Sequence, residues 1–188
     1  MPRQKTIIRD ISWLSFNSRV LQEAADDTVP LRERIRFLGI FSNNLDEFFR
    51  VRVATLNRMI AIGHKKNMHL EINPSLILEE IQDKVLKQQK EFERIWNEIL
   101  RGLKKQKIFL LNEKKINRVQ QNFVLDYFNE EIRSNIVPLM MESIPAFPTL
   151  SDKSIYLACT LSKKDKSIAK KFALVSVPAR RLPRFLIL

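Results

Sequence analysis

Between Asn73-Pro74 and Leu103 the apolar residues Ile77, Ile81, Val85, Phe92, Trp96, Ile99 and Leu103 recur at the spacing of one helix face. This long amphipathic segment constrains the fold more than any other feature. A helix that is apolar along one stripe draws most of its stability from packing that stripe against other elements. Two further segments of the same kind precede it. The first is predicted from about Ser12 to Ala25, with Trp13, Phe16, Val20 and Ala24 along its stripe. Asp26, Asp27 and Thr28 break it, and Pro30 opens the next helix, where the missing N–H does no harm. The second segment continues towards Ile62 and Gly63, and the polar stretch "GHKKNMHLEIN" connects it to Asn73. Three long amphipathic segments with short connections predict an antiparallel helical bundle.

The pattern changes near residue 104. "KIFLLN" reads as a short strand, and Asn112 is placed to cap a helix from Glu113 to about Asn135. Pro138, Pro145 and Pro148 then end helical structure. Beyond them the period becomes two: Ile155, Leu157, Cys159 and Leu161 alternate with Tyr156, Ala158 and Thr160. "SKKDKS" reads as a turn, and Phe172, Leu174 and Val177 as a returning strand. The expected class is therefore α+β, with a helical domain over 1–106 and a second domain, a helix plus antiparallel strands, over 107–188. The apolar end "RRLPRFLIL" suggests either a chain cut short within a longer protein or a terminal strand tucked into a sheet.

Charge narrows the class of partner. Among 188 residues, 33 Lys and Arg face 21 Asp and Glu, a net charge of +12 and a pI near 10.0. Such a field favours polyanions, whether nucleic acid, anionic lipid at a membrane periphery or phosphate-rich small molecules; the bland alternative is solubility alone. No apolar run approaches the roughly 18 residues of a membrane span, and no signal region follows "MPRQKTIIRD". Cys159 is the only cysteine, so no disulfide can form within the chain, and a reducing cytoplasm is the natural setting.

Several chemistries lack their residues. Gly39, Gly63 and Gly102 are the only glycines and are widely separated, so neither a Walker loop nor a dinucleotide fingerprint can be built. His64 and His69 lie in a lysine-rich connection without matched Cys or carboxylates, which favours a solvated loop over a metal site. With this inventory no Ser/His/Asp or Cys/His nucleophile set stands out.

Within "FLGIFSNNLDEFFRVR", residues 37 to 52, Gly39, Ser42, Asn43 and Asn44 are weak helix formers clustered in two turns. Asn44-Leu45-Asp46-Glu47 has the form N-x-x-E, close to a capping box. Asn44 is therefore expected to cap a new helix after a break near Ser42–Asn43, with Asp46 and Glu47 in its first turn. A purely structural cap is one reading. The other uses the free NH2 of Asn44 outward, since a carboxamide complements the edge of adenine. Arg50, Arg52 and Arg58 follow on the same segment, as phosphate partners or as solvated face.

"SWLSFNSRVLQEAADD", "PLRERIRFLGIFSNNLDEFFRVRV" and, more weakly, "IFLLNEKKI" resemble the start of type-1 polyphosphate kinases. The resemblance implies a reversible transfer of the terminal phosphate of ATP onto inorganic polyphosphate, through a phosphohistidine and with Mg2+. It implies four domains, of which this chain would supply the helical N-terminal domain and part of the "head" domain, the latter contributing to dimer or higher homo-oligomer formation. The histidine and the metal ligands would lie in two C-terminal domains, and neither His64 nor His69 falls in a matching motif. By motif position the resemblance assigns Asn44 to the adenine of ATP or ADP and leaves Asn43 as a local backbone stabiliser. It identifies no catalytic residue and no metal ligand in this chain. The alternatives are a stand-alone basic module binding nucleic acid and a pure dimerisation module. Phe16, Phe48, Phe92 and Trp96 at core spacing argue against the first, and the Asn44 corner is unexplained by the second.

Overall fold

The computed structural model describes residues 8–66 (side chains as far as Gly63), 73–162, 170–179 and 181–188. The chain divides into two compact units, Met1–Leu110 and Leu111–Leu188. The first is built from helices α1 (Arg9–Ala25), α2 (Leu31–Phe48), α3 (Ala54–Lys66) and α4 (Pro74–Lys105). A π-helical turn, Phe49–Val53, joins α2 to α3.

Local chemistry sets the ends of these helices. Asp26 accepts hydrogen bonds from the Thr28 N–H and hydroxyl at 2.9 and 2.7 Å, which turns the chain between α1 and α2. Arg34, buried in the first turn of α2, donates from Nε to the Ala24 carbonyl at 2.7 Å and satisfies an orphan group of α1. Asn73 caps α4 by accepting from the Ser75 N–H at 3.0 Å, with Pro74 in the first helical position. At the far end Lys107 adopts φ 61°, while its N–H and that of Ile108 bond back to the Lys104 and Leu103 carbonyls. That is a Schellman closure with lysine where glycine is usual. The chain leaves it without forming a strand, so the strand expected over "KIFLLN" is absent among the described residues, and Ile108 to Leu111 are exposed.

The apolar stripes meet in two clusters. Leu14, Phe48, Leu56, Ile77, Ile81 and Val85 form one, and Leu21, Ala24, Leu38, Phe41, Ile95 and Ile99 the other. Trp13 stacks on Phe48 with ring centroids 4.9 Å apart, and Phe92 and Trp96 pack against the second cluster. Between the clusters lies a polar layer. Asn17 sits between Leu14 and Leu21 on α1, and Gln88 between Val85 and Ile95 on α4, both buried. Gln88 Nε2 donates to the Leu14 carbonyl at 2.8 Å and to the Ser18 hydroxyl at 2.6 Å.

The buried face of α1 is Leu14, Asn17, Leu21 and Ala24, so the expected stripe through Phe16 is corrected by part of a turn, and Phe16 is 62% exposed. The expected break at Ser42–Asn43 is also corrected. Helix α2 runs unbroken through Gly39, Ser42, Asn43 and Asn44, because Leu38, Phe41 and Phe48 stay buried along one face. The irregularity falls later, in the π turn. His64 belongs to the backbone of α3, which extends past the expected stop at Gly63, while His69 and most of "SKKDKS" lie outside the described residues.

In the second unit, α5 (Arg118–Tyr127) begins with a full capping box. Asn117 Oδ1 accepts from the Gln120 N–H, and Gln120 Oε1 from the Asn117 N–H, both at 2.9 Å. The predicted start at Glu113 is thus corrected, since Asn112 instead accepts from the Lys114 N–H in a turn. Helical backbone continues through a π turn, Phe128–Ile132, and a 3-10 turn, Arg133–Asn135. Strands β1 (Pro138–Met140), β2 (Tyr156–Leu161) and β3 (Lys171–Ser176) form an antiparallel sheet in the order β1-β3-β2. Pro138 opens a strand that the sequence reading did not foresee. Central Ala173, opposite Met140 and Cys159, is the buried residue of the sheet. Val177 lies just past β3, its N–H donating to the Ile155 carbonyl at 2.9 Å.

Candidate functional site

Asn17 is fully buried on the α1 face turned to α2. A carboxamide removed from water must find partners for its oxygen and its NH2, or lose free energy comparable to unmade hydrogen bonds. Helix α2 provides both. Asn17 Nδ2 donates to the Phe41 carbonyl at 3.3 Å, and Asn17 Oδ1 accepts from Asn44 Nδ2 at 3.0 Å. Phe41 and Asn44 are three residues apart on one helix, so a single side chain from α1 spans the pair.

This relay explains why Asn44 is not a cap. Its side chain reaches across to α1 instead of folding back on its own backbone, and the helix continues beneath it. The NH2 expected to be wholly free is half used. Asn44 is half-buried, and among the described residues its Oδ1 and second N–H make no further hydrogen bond. It lines an open groove of about 490 Å3 with Glu33, Arg36, Phe37, Gly39, Ile40 and Asn43. Most of these follow one another at helical three- and four-residue steps, so one face of α2 forms the groove floor. Phe37 and Ile40 give it apolar surface, and the Arg36 guanidinium, 3.1 Å from the Glu33 carboxylate, gives it charge. The groove lies within the size range of small-molecule sites.

The other arginines singled out from the sequence stand elsewhere. Arg52, on the π turn, holds Asp10 of α1 with Nε–Oδ1 at 2.6 Å and a second contact at 3.2 Å. Asp10 is buried, and its hydrogen bond pushes the Arg52 guanidinium above its usual range. Arg50 pairs with Asp46 at 2.8 Å within its own helical segment, and Arg58 is exposed on α3. None of the three lines the groove. Asp46 and Glu47, expected in the first turn of a new helix, lie instead in the last turn of α2.

Asn17 was missed by sequence reasoning, although it stands inside the quoted stretch "SWLSFN". A polar residue at a core position interrupts the apolar stripe and shifts the apparent face. Among the described residues no three His, Cys, Asp or Glu side chains converge as a metal site, and no helix is long and apolar enough to cross a membrane.

The polyphosphate kinase N-terminal domain model matches residues 6–111, and the polyphosphate kinase middle domain model matches residues 119–188. Polyphosphate kinase of Vibrio parahaemolyticus is 44% identical over 95% of this chain, and that of Escherichia coli K12 is 41% identical over 98%. The chain spans about a quarter of the length of these relatives, 25% and 26% respectively. The crystal structure of polyphosphate kinase from Porphyromonas gingivalis superposes with a TM-score of 0.71 at 35% identity, covering 95% of this chain and 26% of that one. Two family models in register with the two units, relatives along nearly the whole sequence and a shared fold lead to one assignment: the chain belongs to the polyphosphate kinase family.

Proposed function

We propose that this chain is the nucleotide-base-binding portion of an enzyme that reversibly transfers the terminal phosphate of ATP to inorganic polyphosphate. The observation that carries the reading is the Asn44 carboxamide, anchored on one side to Asn17 and presenting an acceptor and a donor at the edge of an open groove. That pattern complements adenine, which offers an N6 donor beside a ring-nitrogen acceptor. The apolar floor of Phe37 and Ile40 suits a flat base. The net charge of +12 favours polyanionic substrates, and its attraction weakens with salt.

In this reading the phosphohistidine and the Mg2+ ligands belong to parts of the enzyme outside these residues. A division near residue 107 separates the base-binding helical domain from a head domain that takes part in homo-oligomer contacts. The apolar residues displayed on the second unit, among them Leu157 and Phe172, support such a role. The opposing reading is a basic nucleic-acid-binding module, to which exposed Phe16 lends one aromatic. Polyphosphate synthesis from ATP by the full-length enzyme, beside a mobility-shift assay with DNA and RNA at physiological salt, separates the two. Synthesis without selective nucleic-acid binding is expected. Tight sequence-selective binding without synthesis would overturn the proposal.

A further inference from the structure

The Phe41 carbonyl is an obligate acceptor. Whatever faces it at hydrogen-bond distance must donate, so the NH2 end of Asn17 is turned towards it. Asn17 Oδ1 is then turned towards Asn44, which must answer with its own NH2. Rotating the Asn44 carboxamide by half a turn would set its oxygen against Asn17 Oδ1, acceptor against acceptor. Rotating Asn17 as well would move the same conflict to the Phe41 carbonyl. Burial makes the conflict costly, because Asn17 is fully enclosed and water cannot intervene from its side. A backbone group of α2 therefore sets the polarity of two carboxamides in series.

Resting on the nucleotide reading above, we infer that Asn17 is a positioning residue that determines base specificity by holding the Asn44 carboxamide in one polarity. An acceptor and a donor in fixed order match adenine, whereas guanine offers acceptors at both O6 and N7 of its corresponding edge. A carboxamide free to rotate would turn its NH2 towards guanine, and a locked one does not. Asn17 touches no substrate in this scheme and acts through Asn44 alone.

The test uses the full-length enzyme with Asn17→Leu, Asn44→Ala and the double variant, measuring KM and kcat for ATP and for GTP beside thermal melts. Leucine extends the Leu14–Leu21 stripe and strands no further buried polar atom, since the Phe41 carbonyl sits within a continuous helix and Asn44 is reached by water. Asn17→Ala repeats the reading if the larger side chain does not fold. Asn17→Leu is expected to raise the KM for ATP roughly two- to tenfold, the worth of one hydrogen bond, and to lower the ATP-over-GTP preference by a similar factor. The double variant should be no worse than Asn44→Ala alone. If Asn44→Ala raises the KM for ATP while Asn17→Leu leaves KM and preference unchanged, the positioning role is overturned and the nucleotide reading stands. A lowered melt with unchanged base preference also overturns it, returning Asn17 to a packing role. If Asn44→Ala has no effect on ATP use, the nucleotide reading fails and the inference falls with it.

Discussion

The helical unit and the sheet unit carry apolar residues at similar density but dispose of them differently. Every buried apolar residue among the described ones lies in the helical unit except Ala173. In the second unit Val137, Phe147, Leu157 and Phe172 are 72%, 69%, 53% and 52% exposed. Helices adjacent in sequence can close on one another through short turns, so the stripes of α1, α2 and α4 find their partners within this stretch of chain. A three-stranded sheet with one short helix has two faces to cover and too little chain here to cover them. The candidate nucleotide site sits on the unit that holds the buried core, which suits a site that depends on an orientation held by buried hydrogen bonds.

Amide hydrogen exchange on the 188-residue chain should separate the two units most strongly. Amides in α1, α2 and α4 should exchange orders of magnitude more slowly than those of β1, β2 and α5, because the latter open locally. Equal protection in the two units would contradict the account. A smaller effect comes from matched truncations read by chemical denaturation. Phe41→Ala, at a fully packed position, is expected to cost about 3–5 kcal/mol. Phe172→Ala, on the exposed sheet face, should cost less than about 1 kcal/mol.

The smallest effect concerns the sheet alone. The Glu142 carboxylate accepts the Phe172 N–H at 2.7 Å, and this bond holds its pKa below the usual 4.5. A carboxyl with a depressed folded pKa contributes stability that is present above 4.5 and lost as the pH falls through the folded value. Protection of the Phe172 amide, corrected for its intrinsic exchange rate, should therefore decline in acid below 4.5. Glu142→Gln should remove that dependence while the helical unit is unaffected.

How much of this was legible in the sequence depended on whether a residue's partner was local. Helix α4 was readable from its stripe, its Asn73 cap and Pro74, all of which act within a few residues. The N-x-x-E/Q pattern shows the limit. It occurs at Asn44–Glu47 and at Asn117–Gln120, and only the second is a capping box. At Asn117 the preceding chain is a polar, exposed turn with no stripe to continue. At Asn44 the stripe of Leu38, Phe41 and Phe48 passes straight through, and a carboxamide on another helix competes for the side chain. Nothing in the spacing of α2 announces Asn17, because the contact exists only once α1 is packed. The family resemblance could therefore single out Asn44 as a candidate base contact without revealing what holds it. β1 was illegible for a related reason: three residues opened by a proline become a strand only when β3 pairs with them.

In the proposed function the Asn44 carboxamide serves the nucleotide rather than the helix. The measurement that tests it most directly is the ATP-concentration dependence of polyphosphate synthesis by the full-length enzyme with and without Asn44→Ala, beside thermal melts of both. A KM for ATP raised roughly two- to tenfold is expected, the equivalent of one lost hydrogen bond, with only a small fall in the melt because water can reach Asn17 through the vacated position. Unchanged ATP dependence with a clearly lowered melt would contradict it and reduce the Asn17–Asn44 relay to a packing device.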